Sequence, residues 1–249
     1  MNLTGKRIMI TGGGSGIGLE LARRLADTND VVIAGRDEAK LERARAETRA
    51  LRPLRLDVTS EEEARRAVEW LTSELGGLDL LVNNAGLVRG YPFSAPEAAA
   101  KSADDLAVNL GGAVRMTRLA LPLLEASREG AVVFMSSAVA LAAVPGFAVY
   151  AATKAAVHSL ARSLRAELKP SGIRVFEVLP PVVDTGPVRG LDVPKVAPSL
   201  VVDAILAGIA RDREEIRIGP VRGLAPLARL APRLADRIVV RAFRPSGTS

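Results

Sequence analysis

Apolar residues in this chain fall in short continuous runs, and most runs are followed by a stretch with helical spacing. Arg7–Thr11, Val31–Ala34, Leu54–Val58, Leu78–Val82, Ala131–Met135, Arg174–Leu179 and Glu214–Ile218 read as strands. A run without polar alternation suits a strand buried on both faces, as in parallel sheets. Helical patterns occupy Leu19–Asp27, Glu38–Arg49, Glu61–Leu75, 99–125, 150–169 and Leu200–Ala210. Ser60 and Glu63 stand at capping-box spacing before the third of these. Strand and helix alternate throughout. This predicts an α/β fold, a doubly wound parallel sheet of about seven strands with helices on both faces. No repeat, linker or low-complexity tract breaks the pattern, so residues 1–249 read as one domain with an extension from about residue 220.

Composition narrows the classes. Aromatics are 3% of residues, so the core must be built from Ala, Leu and Val, and a stacking platform for single-stranded nucleic acid is disfavoured. The formal charge is +6, but the arginines are interleaved with acids and no reading motif accompanies them, so no nucleic-acid partner is expected. The absence of cysteine excludes disulfides, thiolate metal sites and cysteine nucleophiles. With a single histidine, His158, no metal site is expected. No signal-peptide core and no apolar stretch of the ~20 residues a membrane span needs is present, which points to a cytoplasmic protein.

Several stretches carry candidate chemistry. The first strand runs into Gly12-Gly13-Gly14-Ser15-Gly16-Ile17-Gly18 and then a helix. Glycines let backbone approach a pyrophosphate, and a helix N-terminus offers free N–H groups and a positive dipole end. Thr11, Gly12, Gly14, Ser15, Gly16, Ile17 and Gly18 are therefore candidate cofactor contacts. No Lys-Ser/Thr follows, so a nucleoside-triphosphate loop is not indicated. At the end of the second strand stands Gly35-Arg36-Asp37. Arg36 can pair with a 2′-phosphate, which favours NADP(H) over NAD(H). Asp37 either takes a ribose hydroxyl or caps the next helix. Asn83-Asn84-Ala85-Gly86 ends the fourth strand, and Asn109 sits inside the 99–125 helical region, where an amide needs a partner. Ser137 ends the fifth apolar run. Tyr150 and Lys154 stand four apart on a helix and share a face. A cation beside a phenol favours phenolate, so the Tyr150 pKa is expected to fall from ~10.

These landmarks, with Asp57 and Thr185, occur in the order and spacing of the short-chain dehydrogenase/reductase family, which the chain resembles from about residue 4 to 219. The resemblance implies hydride transfer between a nicotinamide cofactor and a small-molecule carbonyl or alcohol. It implies Tyr150 as acid and base, Ser137 holding the substrate oxygen, and Lys154 tuning the tyrosine and binding ribose. It implies Asn109 holding a relay water, Asp57 and Val58 at the adenine, Asn84, Ala85 and Gly86 lining the cofactor, and Pro180, Val183 and Thr185 beside the nicotinamide. Pro180-Pro181 departs from the usual Pro-Gly and leaves that backbone open to difference. Pro-Pro-x-Val-Asp-Thr, Asn-Asn-Ala-Gly-x-x-Arg and His158-Ser159 look like a bacterial branch associated with D-alanine esterification of teichoic acid. A non-catalytic NADP-binding sensor or scaffold is the alternative from another class.

Further expectations concern the periphery. The substrate loop should span Thr185 to Pro198, with Pro187, Arg189, Leu191, Pro194 and Lys195. Tyr91, Pro92, Phe93, Phe147 and Val149 would add apolar wall, and Arg89 or Arg189 would meet an anion. After Gly219, Leu224, Leu227, Leu230, Leu234 and Ile238 share one helical face. Arg229, Arg233, Arg237 and Arg241 form a stripe, with breaks near Pro226 and Pro232. Packing on its own domain or a partner subunit is the favoured reading of this tail, with an anionic membrane surface as the lesser alternative. His158 reads as a packed helix histidine more than as part of a relay. A homodimer through 99–125 and 150–169 is expected.

Overall fold

The computed structural model describes residues 1–188 and 192–243. Seven parallel strands form one sheet: β1 (Arg7–Thr11), β2 (Asp30–Gly35), β3 (Leu51–Arg55), β4 (Leu80–Asn83), β5 (Ala131–Met135), β6 (Arg174–Leu179) and β7 (Glu215–Arg217). The order across the sheet is β3-β2-β1-β4-β5-β6-β7. The chain therefore reverses direction of travel between β1 and β4, and ligands of such sheets bind at the strand C-termini beside that point.

Alternate residues of each strand feed two cores. On one face Ile8, Ile10, Ile33 and Val133 pack with Leu21, Leu25, Val201 and Ile205. These last four lie on α1 (Gly16–Ala26) and α7 (Pro198–Ala210). On the other face Met9, Val32, Val132 and Phe134 pack with Leu71, Met116, Leu124 and Val157. The helices there are α3 (Glu61–Leu75), α5 (Ala113–Ala126) and α6 (Ala148–Glu167). At the sheet's opposite end Arg7 grips Asp79 with Nε at 2.9 Å and Nη2 at 2.8 Å, and Ser127 adds a hydroxyl at 2.6 Å.

Several boundaries differ from the sequence expectation. β3 lies at Leu51–Arg55 and not at Leu54–Val58. Arg52 and Pro53 hide it from an apolar count, but β3 is an edge strand, where the missing N–H of Pro53 costs no ladder bond. Beyond it Leu56 still donates to Gly35 O at 2.9 Å, and Asp57 then turns the chain by accepting from the Thr59 N–H and hydroxyl. α2 (Glu38–Glu47) is capped by Asp37, which accepts from Lys40 N at 3.1 Å. The 99–125 region is α4 (Ala98–Leu106), a π-helical turn at Ala107–Gly112, and α5. The bulge falls on Asn109. The tail is two helices, α8 (Val221–Leu230) and α9 (Pro232–Ala242). It breaks at Pro232, whereas Pro226 is accommodated within α8.

Candidate active site

The glycine loop is shaped by contacts that no side chain could survive. A Cβ on Gly18 would stand 2.6 Å from Gly12 O and 2.5 Å from Asn84 Nδ2, and Gly12 adopts φ +66°. Asn84 supplies the cross-strand ties, with Nδ2 donating to Thr11 O at 3.0 Å and Gly12 O at 3.1 Å. The Thr11 hydroxyl donates to Val82 O and accepts from the N–H groups of Asn84 and Ala85, both at 3.1 Å. These bonds lock the ends of β1 and β4 together. The N-cap Ser15 makes no side-chain cap bond, so the first-turn N–H groups of α1 face outward with the dipole's positive end.

Above this loop lie two joined hollows of about 240 Å³ each, sharing Gly12, Ser15 and Gly86. One end is bordered by Gly14, Arg36, Lys40, Asp57 and Val58. Asp37 also borders it, but its carboxylate is spent on the α2 cap and on Lys40 Nζ at 3.0 Å. Arg36 stands 3.8 Å from Asp57. Burial works against ionisation of Asp57, but the Thr59 bonds and the Arg36 and Arg55 cations outweigh it and hold the carboxyl below its ordinary range. Lys40 is a second cation that sequence reading missed; its position one turn into α2 was the available signal.

The other end is lined by Ile17, Ser137, Tyr150, Lys154, Pro180, Val183 and Thr185, among others. β5 delivers Ser137 in extended backbone at its C-terminus, and α6 presents Tyr150 and Lys154 four residues apart. Ala138 N donates to Pro180 O at 2.9 Å, so the Pro180-Pro181 turn is stitched to the Ser137 segment despite the second proline. Thr185 reaches the glycine loop, its Cγ2 lying where a Gly16 Cβ would come within 3.2 Å.

The electrostatics correct one expectation. The Tyr150 pKa is not lowered. Burial pushes it up to about 12, and a hydrogen bond with Ser137 offsets that only in part. Lys154 does not lower it because its ammonium is aimed elsewhere. Nζ donates to Met135 O at 2.8 Å and stands 5.8 Å from the Tyr150 ring centroid. Burial brings Lys154 itself down to about 8. The amide of Asn109 has the partners that a helix-interior position demands. Its Oδ1 accepts from Leu87 N at 2.6 Å, while Nδ2 donates to Leu87 O at 3.0 Å and Thr153 Oγ1 at 3.1 Å. The side chain thus ties the β4 exit to α6. It stands near Lys154, because a Cβ on Gly86 would lie 3.2 Å from Asn109 Oδ1 and 3.6 Å from Lys154 Nζ.

Several peripheral residues fall elsewhere than expected. Arg89 is committed to Asp105 at 2.8 Å and to Lys101 O, so it does not serve the cavity. Tyr91 is buried with its hydroxyl on Asp105, and Phe93 is exposed. Of the expected apolar wall Phe147 lines the cavity, joined by Val88, whereas Tyr91, Pro92, Phe93 and Val149 do not. Arg189, Leu191 and the side chain of Pro187 lie outside the described structure. His158 is a packed residue, its Nδ1 bonded to the buried Glu177 at 2.8 Å; that bond raises its pKa. The main contributor that sequence reading missed is Phe243, just past α9. It lines the cavity and meets Phe147 edge-on with centroids 6.3 Å apart. Asp236 on α9 accepts from Ala143 N at 2.9 Å and holds the tail there. The spacing Ala235, Val239, Phe243 was the signal for this inward face.

The fold agrees with that of known proteins of similar sequence. Residues 6–192 match the short chain dehydrogenase family, and the chain belongs to it. It is 34% identical over 237 residues to an uncharacterized oxidoreductase, DltE, of Bacillus subtilis, covering 92% of this chain and 94% of that one. The branch resemblance noted from the sequence fits this relative. A short chain dehydrogenase from Burkholderia cenocepacia, solved in complex with NADP, superposes with a TM-score of 0.85 at 29% identity, covering 98% of this chain and all of the other. The 3-ketoacyl-(acyl-carrier-protein) reductase of Brucella melitensis, solved with NADH, gives 0.78 at 30% identity over 86% of this chain and 94% of its own. Among the described residues no helix is long and apolar enough to cross a membrane.

Proposed function

We propose that this chain is an NAD(P)-dependent oxidoreductase moving a hydride between a nicotinamide cofactor and a carbonyl or alcohol substrate, with NADP(H) favoured. The observation that carries this reading is the meeting of Ser137, Tyr150 and Lys154 on a cavity continuous with the glycine-loop hollow. The residues fit a dinucleotide. The cradle under Gly12 and Gly18 leaves room for no side chain, and two cations border the end where an adenosine 2′-phosphate belongs. The capping of α2 by Asp37 supports the NADP preference.

The bound cofactor supplies the carbon that gives or takes hydride. The chain's own residues do the remaining work. Thr11, the glycine loop and the α1 N-terminus hold the pyrophosphate. Asp57 and Val58 flank the adenine, Asn84 to Gly86 form the floor, and Pro180, Val183 and Thr185 border the nicotinamide end. Ser137 donates to the substrate oxygen. Tyr150 Oη gives that oxygen a proton in reduction and takes one in oxidation. Lys154, whose Nζ stands near the Gly86 floor, binds the nicotinamide ribose hydroxyls. Positioning supplies much of the rate. We also propose a homodimer through α4, α5 and α6, where Leu106 and Val114 are exposed.

Titration of NADPH and NADH into the purified protein tests the cofactor reading. Tight NADPH binding with weaker NADH binding is the expected result; binding of neither at millimolar concentration overturns it. Tyr150→Phe should retain cofactor affinity and abolish turnover of an aldehyde and ketone panel. The intact Ser137, Tyr150 and Lys154 set speaks against a scaffold that no longer turns over.

A further inference from the structure

The C-terminal helices have two dissimilar faces. The inner face belongs to the cavity: Ala235 is fully buried, Asp236 holds Ala143 N, and Phe243 forms wall. Of the leucine stripe only Leu224 and Leu227 are half-buried, and the rest does not pack inward as the sequence suggests it should. Leu230 is 83% exposed, Leu234 48% and Ile238 50%. Beside them Arg229, Arg233, Arg237 and Arg241 are all exposed. Some arginines elsewhere on this surface are paired, as Arg65 and Arg115 are with Glu61, and, among the described residues, others such as Arg43, Arg49 and Arg128 are not. Among the described residues these four form no ion pair.

We propose that the outer face of α8 and α9 docks on an anionic phospholipid surface. The aliphatic side chains suit the boundary between headgroups and acyl chains, while arginine stems lie along them and carry the guanidinium groups up to phosphates. The unpaired cations select the occupant. An apolar patch alone would accept many partners, but a basic stripe at four-residue spacing matches a sheet of negative charge. A second copy of this chain fits poorly, because a two-fold contact would set arginine against arginine. Phe243 projects from the opposite side of α9, so docking would hold the cavity about 10 Å, one helix diameter, from the lipid. The proposal does not depend on the catalytic reading.

The test is co-sedimentation of the full chain with vesicles of phosphatidylglycerol and phosphatidylcholine, against vesicles of phosphatidylcholine alone. Binding to the anionic vesicles only, weakening with salt, is expected. Arg233→Gln, Arg237→Gln and Arg241→Gln together should lower affinity on the order of 100-fold, since each cation near such a surface is worth roughly a factor of five. Leu230→Ser, Leu234→Ser and Ile238→Ser together should lower it about tenfold or more while leaving heparin binding unchanged. These substitutions are on the exposed face, and circular dichroism checks that the variants stay folded. No pelleting at low salt, equal pelleting with both lipids, or aliphatic variants that bind as the parent does would each overturn the proposal. So would a chain whose outer face is found buried in a dimer.

Discussion

Lys154 Nζ donates to the carbonyl oxygen of Met135 at 2.8 Å, so the buried ammonium is anchored to the end of β5 and not to the phenol beside it. Its pKa falls from 10.5 to about 8 because burial disfavours the charged form. Between those values the unfolded chain binds the proton that the folded chain has released, so this residue makes stability rise with pH across that window. Lys154→Met should abolish the rise. The wild-type gain is about 2–3 kcal/mol between pH 8 and 10.5, and urea unfolding of both proteins at the two pH values measures the difference.

Asp79 behaves in the opposite sense. Burial alone would raise its pKa, but the bonds from Arg7 and Ser127 outweigh that and hold the carboxyl far below its ordinary range. Its stabilisation is present above 3.8 and lost as pH falls through the lowered value. Asp79→Asn should cost about 2–3 kcal/mol at neutral pH, with the gap to wild type closing below pH 4. Chemical denaturation from pH 7 to pH 3 measures both parts.

Arg36 and Lys40 border the same end of the cleft. Arg36→Ala should weaken NADPH binding about tenfold or more and leave NADH binding within about twofold, because only the former carries the extra phosphate. Calorimetric titration gives both affinities. An equal loss for the two cofactors would remove Arg36 from 2′-phosphate recognition.

The bond from Ala143 N to Asp236 fastens the tail over the cavity. Asp236→Ala should free that amide at a cost of about 1 kcal/mol, roughly a fivefold rise in local opening. Hydrogen exchange in 138–147 should speed up accordingly, while cofactor affinity stays unchanged. Unaltered exchange there would show that α9 is held by its apolar contacts alone.

Most of this architecture is legible in the sequence because parallel strands buried on both faces leave unbroken apolar runs, as in Val31–Ala34 and Ala131–Met135. β3 is not, since its edge position tolerates Arg52 and Pro53. The set of Ser137, Tyr150 and Lys154 is legible through spacing, but their electrostatics are not. The partner of Lys154 is a carbonyl on another element, and burial of the phenol depends on the assembled cavity. The tail misleads for a related reason. Its leucines advertise a buried face, while Ala235 and Phe243, fewer and less conspicuous, make the inward contacts.

Pro53 has a consequence beyond tolerance. An open sheet edge is a template on which another chain can zip its own backbone, and growth from such edges leads to fibrils. On β3 one donor is deleted, and Arg52 and Arg55 hold charge at the rim through Asp30, Glu38 and Glu63. The far edge, β7, is only three residues long and carries Glu215 and Arg217. Neither rim offers a row long enough to recruit a stranger, so the sheet is protected against self-templating at both margins.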